Sequence, residues 1–460
     1  MSRRKLLRGA IVLTMDPALG DFPEGDVLLE DDRIAAVGPR IDAPDAELVD
    51  CARCIVLPGL VNAHLHTWQT ALRGVASDWT LPEYLRNMHA GLATVFEPED
   101  LYIATLMGAL NQLNGGTTTL ADWCHNNPTP EHTDAAIEGL DAAGIRAVFF
   151  HGSPKPDPQP GMPAFWETPH PRHEILRLRR GRFAGKQGRL GLAMAILGPH
   201  FSTWEVTEHD FRLARELDLI ASMHNAGPPA RTPGAFARLA QQGLLGLLGP
   251  NINIVHGQGL DPTELARLID CGVSFSLTPE GEMTQGHGFA LTGAVLRLGG
   301  LPSLGSDLDS LAGGEMLTVA RIALGLQRAL DNDASRRASG ELPPTSTLTC
   351  RQALEWITVG GARMLRMEHR IGTLTPGKQA DVVVIRAGDL NMWPVHDPYA
   401  SVVMQASLAN IDTVIVGGEL KKAAGRLLHA GTRDLQDRLA NSGRGLLERF
   451  RARSAGHHGH

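Results

Sequence analysis

The sequence predicts an α/β protein: a (β/α)8 barrel of the TIM type with a small β-sandwich domain formed by both chain ends. Three observations carry that prediction. Eight short apolar runs alternate with amphipathic stretches through the middle of the chain, the pattern of parallel strands joined by crossover helices. Both ends read instead as short strands separated by acidic, Gly and Pro turn signals, which suits an antiparallel sheet. The chain of 460 residues is long enough for a barrel of ~250 residues and a second module.

Taken in order, strand signals at 6–15, 26–30 and 33–38 return near the other end at 371–374, 380–385 and 412–418. Residues 1–56 and 368–424 are therefore assigned to one composite domain. The barrel is assigned to 57–367, with strands beginning from the runs 55–61, 118–122, 146–151, 189–197, 219–224, 251–256, 272–278 and 302–307. Amphipathic helices are expected at 98–114, 132–143, 205–217, 262–270 and 315–330. Residues 425–460 form a C-terminal helix, 434–453, and a polar tail whose His457, His458 and His460 are read as having no role in a site.

Composition narrows the function. A net charge of −7 offers no basic field for nucleic acid. No uninterrupted apolar stretch of ~18 residues suggests a membrane span, and the start lacks a signal-peptide core, so a cytoplasmic protein is expected. Five scattered cysteines include Cys51-Ala52-Arg53-Cys54, which lacks the second pair of a zinc ribbon and is read as structural.

The histidines point to chemistry. His64 and His66 follow the first barrel run at a spacing that puts both imidazoles on one side of an extended chain. Further polar residues stand at the later exits: Asp122 and His125, His151, His200, His224, His256, Glu280 and Asp307. Barrel active sites lie at these C-terminal strand ends. Imidazoles and one carboxylate converging there suit zinc or iron(II) with an open position for water, and such a metal lowers the pKa of that water toward ~7. Asp307 would both bind the metal and take the water's proton. Trp68 offers a stacking face for a flat ring, and His125 lines the mouth after the second strand.

The ordered segments Leu57-Pro58-Gly59-Leu60-Val61-Asn62-Ala63-His64-Leu65-His66, Ser222-Met223-His224-Asn225-Ala226, Val255-His256-Gly257, Leu304-Gly305-Ser306-Asp307 and Gly372-Thr373-Leu374-Thr375-Pro376-Gly377 resemble the amidohydrolase superfamily. The resemblance is to the branch of cytosine, guanine, 8-oxoguanine and S-adenosylhomocysteine deaminases and atrazine chlorohydrolase-like triazine hydrolases. It implies one Zn2+ per chain (Fe2+ being the alternative) held by His64, His66, His224 and Asp307, with His256 a ligand or a partner of the bound hydroxide. It also implies substrate contacts from Gln69 and His200, a small-molecule substrate and a homodimer. The implied activity is a metal-dependent aminohydrolase that removes an exocyclic amino group from a purine, pyrimidine, pterin or triazine. One departure stands out: the deaminases' proton-shuttling glutamate, three residues after the third histidine, is replaced by Gly227. Glu280, leaving the seventh strand, is the expected substitute, with Glu282 as second choice. Without a substitute the alternative is an amide, ring C–N or C–halogen hydrolase, whose leaving group needs less acid assistance.

Overall fold

The computed structural model describes residues 3–185, 188–227 and 229–457; His458, His460 and the side chain of His457 lie outside that description. The N-terminal strands are β1 (Arg4–Val12), β2 (Phe22–Glu30), β3 (Arg33–Gly38), β4 (Glu47–Asp50) and β5 (Cys54–Pro58). β6 (Leu60–Leu65), β7 (Thr117–Cys124), β8 (Arg146–Gly152), β9 (Leu190–Ala195), β10 (Ala221–Asn225), β11 (Ile252–His256), β12 (Ser274–Leu277) and β13 (Ser303–Leu304) follow, hydrogen bonded in sequence order with every neighbouring pair parallel. The ring closes where its first and last strand exits meet. There the Asp307 N–H donates to the His64 carbonyl at 3.0 Å and the His66 N–H to the Asp307 carbonyl at 2.8 Å. Gly305 permits the approach, since a Cβ on it would lie 2.5 Å from the His64 carbonyl oxygen.

The last strands, β14 (Val382–Arg386), β15 (Ile411–Val416), β16 (Glu419–Ala423) and β17 (Arg426–Leu427), return to the N-terminal module. β5 pairs with β14, and both chain ends become one continuous mixed sheet of nine strands. Period-two alternation gives this sheet two apolar faces. Ile55, Leu57, Val383 and Ile385 pack into the main core, while Val56, Val382 and Val384 join Leu7, Val27 and Ile415 in a core of the module's own.

The sequence run 55–61 is divided at Gly59: its first half ends β5 and its second begins β6. A Cβ on Gly59 would lie 1.9 Å from the Thr118 hydroxyl, so the chain changes sheets at its tightest point. Both halves are apolar and buried, which is why hydropathy reads them as one strand and places the boundary at 56/57. A buried bidentate pair ties the module to the barrel, with Arg146 Nε donating to Asp381 Oδ2 at 2.7 Å. The C-terminal helix, Thr432–His457, begins earlier than expected and lies along the helix Pro98–Asn114. Ser442 donates to Asp100 at 2.6 Å, and Leu446 is fully buried. It is a packed element of the barrel's outer layer.

Candidate metal centre and active-site cavity

Strand β6 delivers His64 and His66, β10 delivers His224, and the turn after β13 delivers Asp307. One donor atom from each of these four lies within 4.8 Å of all the others. The Nε2 atoms of His64 and His66 are 3.1 Å apart and those of His224 and His64 3.2 Å, while Asp307 Oδ1 stands 3.2 Å and 3.5 Å from His64 and His66. Ligands on a tetrahedron with bonds of ~2.1 Å are ~3.4 Å apart, so the four donors fit a zinc-sized cation.

Their protonation fits as well. The Nδ1 of His66 faces the Trp123 carbonyl oxygen at 2.5 Å; that oxygen can only accept, so Nδ1 carries the proton and Nε2 presents its lone pair. Burial depresses the pKa of His64, His66 and His224, keeping the imidazoles neutral. Burial also works against ionisation of Asp307, but the His64 hydrogen bond and the histidines around it outweigh burial and hold the carboxyl well below its ordinary range. Asp307 sits at φ 63° and His256 at φ 70°, left-handed conformations that non-glycine residues adopt at a cost and that here aim both side chains inward.

His256 ends β11 outside the four-donor cluster. Its Nδ1 lies 3.3 Å from Glu282 Oε1 and 3.1 Å from the Thr278 hydroxyl. Glu282 is completely buried, and its Oε1 also accepts the Thr278 N–H at 2.9 Å. Glu280 departs from the sequence expectation. In the turn Pro279–Thr284 it is half-buried, and neither it nor Glu282 lines the cavity; Glu282, two residues on, is the carboxylate that reaches His256.

The cavity above the donors is lined by His66, Tyr84, His125, Lys155, Phe201, His287 and Asp307 among others. Gln69 does not line it: the side chain is fully buried, donating to the Tyr84 hydroxyl at 2.6 Å and accepting from Ser310 at 2.6 Å, so both ends of the amide are spent. Trp68 is likewise buried behind the wall. Its indole N–H donates to His125 Nδ1 at 3.1 Å, leaving His125, which does line the cavity, its proton on Nε2. His200 lies in the turn Gly198–Phe201 and faces a separate outer cavity beside Asn225 and Gly259, while its neighbour Phe201 reaches the site. Of the four sequence-expected substrate contacts, the structure therefore brings only His125 to the cavity.

At Gly227 the family's glutamate is missing and its space is filled. A Cβ there would lie 2.5 Å from Leu81 Cδ2, at a φ of 94° that disfavours any side chain. Lys155, Tyr84 and His89 were missed by sequence reasoning, since Lys155 lies in a loop and Tyr84 and His89 in helical segments of one turn each, too short to show a period. Lys155 follows β8 within Pro154-Lys155-Pro156-Asp157-Pro158, where proline-fixed φ angles stiffen the segment. Burial lowers the Lys155 ammonium to a pKa of about 8.

Three imidazoles and a carboxylate that could hold a metal ion, set at the C-terminal mouth of a (β/α)8 barrel beneath a cavity, are the arrangement of a hydrolase barrel. The chain belongs to the amidohydrolase family, whose model matches residues 55–421. It is 29% identical over 432 residues to the 5-methylthioadenosine/S-adenosylhomocysteine deaminase of Moorella thermoacetica, covering 91% of this chain and 93% of the relative. It is 26% identical to the 5'-deoxyadenosine deaminase of Methanosarcina mazei, covering 90% and 92%. Among solved structures, the fold matches a zinc-bound adenosine deaminase from Xanthomonas campestris with a TM-score of 0.80 at 24% identity, covering 97% and 98%. It also matches the zinc complex of atrazine chlorohydrolase from Arthrobacter aurescens with a TM-score of 0.84 at 22% identity, covering 95% and 100%. Among the described residues no helix is long and apolar enough to cross a membrane.

Proposed function

We propose that the protein is a zinc-dependent aminohydrolase that removes an exocyclic amino group from a small nitrogen heterocycle, with His64, His66, His224 and Asp307 holding one metal ion. The observation that carries the reading is the double position of Asp307, which belongs to the four-donor cluster and is also the only carboxylate lining the cavity among the described residues. Relatives that deaminate adenosine-type nucleosides support the reaction class.

When bound, the metal supplies Lewis acidity that makes water nucleophilic near neutral pH. The protein's own groups do the rest. Asp307 Oδ2, 3.4 Å from the Thr278 hydroxyl, takes the proton of the attacking water and passes it toward the departing nitrogen. His256, held by Glu282 and Thr278 through Nδ1, is a hydrogen-bonding partner for that water or for the substrate. Phe201 and Leu81 supply apolar walls that exclude bulk solvent.

Ammonia release by zinc-loaded protein across amino-purines, amino-pyrimidines, pterins and triazines tests the reading, and its complete absence with zinc bound overturns it. The filled space at Gly227 favours a second reading, hydrolysis of an amide, ring C–N or C–halogen bond, in which a better leaving group needs no separate acid. Product analysis on chloro- and amino-triazine pairs separates the two. A cytoplasmic homodimer completes the reading, checked for its assembly by light scattering.

A further inference from the structure

Lys155 carries a charge that no carboxylate answers among the described residues. It is 8% exposed, and its Nζ lies 4.8 Å from the Phe201 ring centroid and 5.8 Å from that of Trp123. Trp123 in turn packs edge-on against His224, with ring centroids 4.3 Å apart, so the ammonium stands just above the donor cluster. No carboxylate acts on it, and Asp307, the cavity's one anion among the described residues, is committed to His64 and His66. Two further polar groups of the same cavity are also unpartnered: the Gln285 Nε2 and both ring nitrogens of His287. These come from the loop after β12, across the mouth from the β8 loop that supplies Lys155.

A desolvated ammonium held only by ring faces is an expensive group to keep, and it is retained cheaply only where a counter-charge arrives with a ligand. The ligand must therefore bring acceptors, and at least one of them anionic. Its shape is constrained too, because the flat faces of Tyr84, His125 and Phe201 in the cavity lining suit a planar ring. A heterocyclic ring with one charged substituent meets both requirements.

We propose that Lys155 selects the substrate by charge, binding an anionic oxygen, carboxylate or ring oxyanion, on a small amino-substituted heterocycle. The site thus takes an anionic ring in preference to a neutral nucleoside. This rests on the aminohydrolase reading for the amino group, but not for the anion.

Calorimetric binding at pH 7 to the metal-loaded protein tests it with two probe pairs. Pterin against pterin-6-carboxylate examines the carboxylate, and melamine against ammelide examines the ring oxyanion. At least one anionic probe should bind ~10-fold or more tightly than its neutral partner, the discrimination expected of a charged hydrogen bond. Lys155→Met should abolish that preference with the metal content unchanged, and Lys155→Arg should keep part of it, which guards against a mere folding defect. Equal binding within both pairs, or a preference that survives in Lys155→Met, overturns the proposal. Because the charge preference is read from affinity and the amino group from ammonia, a preference lost in Lys155→Met alongside no ammonia from any probe supports the subsite and removes the aminohydrolase reading alone.

Discussion

The floor and the wall of the cavity are built on opposite principles. The floor (His64, His66, His224 and Asp307) comes from strand exits locked by the barrel ladder, and each donor is fixed by the hydrogen-bonded backbone beneath it. The wall (Leu81, Tyr84, Lys155, Phe201 and His287) comes from loops and short turns, and its groups meet only because the loops fold over one another. A floor of this kind preserves chemistry, whereas a wall of this kind decides what reaches it. Gly227 and Leu81 show the trade between them. Where the sequence resemblance implies a glutamate, here a side chain would meet Leu81 from the short helix Leu81–Tyr84.

The contrast breaks most sharply if the floor tolerates change. His224→Ala and Asp307→Ala should each lower activity by ~10³-fold or more, because they remove a ligand and, for Asp307, the proton acceptor as well. Metal analysis of purified His224→Ala should show the loss of the ion, and full metal content with full activity would dissolve the proposed centre. One layer out, Glu282→Gln should cost ~10–100-fold in kcat with metal retained, since it releases His256. Glu280→Gln should change kcat less than ~2-fold, and the reverse order would restore Glu280 as the proton donor.

The wall should respond in stability. Gly227→Glu should destabilise the protein by ~1–3 kcal/mol in denaturant melts, through the φ of 94° and the clash with Leu81. Adding Leu81→Ala should recover part of that loss; no recovery would mean that Leu81 is not what fills the space. Lys155→Met should stabilise the ligand-free protein by roughly 1–2 kcal/mol at pH 7. The sign follows from linkage. Burial lowers the folded-state pKa from 10.5 to about 8, so the lysine's penalty is absent above pH 10.5, grows as pH falls from there and is fully present below about 8. The advantage of Lys155→Met should therefore fade between pH 8 and pH 10.5, and a pH-independent difference would deny that the ammonium is the cause.

Much of the floor was legible before folding. The spacing of His64 and His66 and the order of His224 and Asp307 at strand exits brought the four candidate donors together, because a strand's two-residue period and the barrel's polarity turn sequence position into direction. Gln69 and Trp68 were legible only as neighbours of that motif. The structure turns both behind the wall, where Gln69 bonds Tyr84 and Ser310 and Trp68 bonds His125. Glu280 and Glu282 differ by two positions on one short helical turn, and no hydropathy pattern says which faces inward.

By itself the sequence determined the two-module architecture, the eight parallel strands and the convergence of histidines and Asp307 at one end of a barrel. These follow from local period and chain order. The tertiary structure alone decided where the chain leaves one sheet for the other at Gly59, which glutamate holds His256, that Leu81 fills the space beside Gly227, and that an unpaired Lys155 faces the metal donors. Each of these depends on contacts between segments far apart in the chain, whose geometry no local pattern encodes.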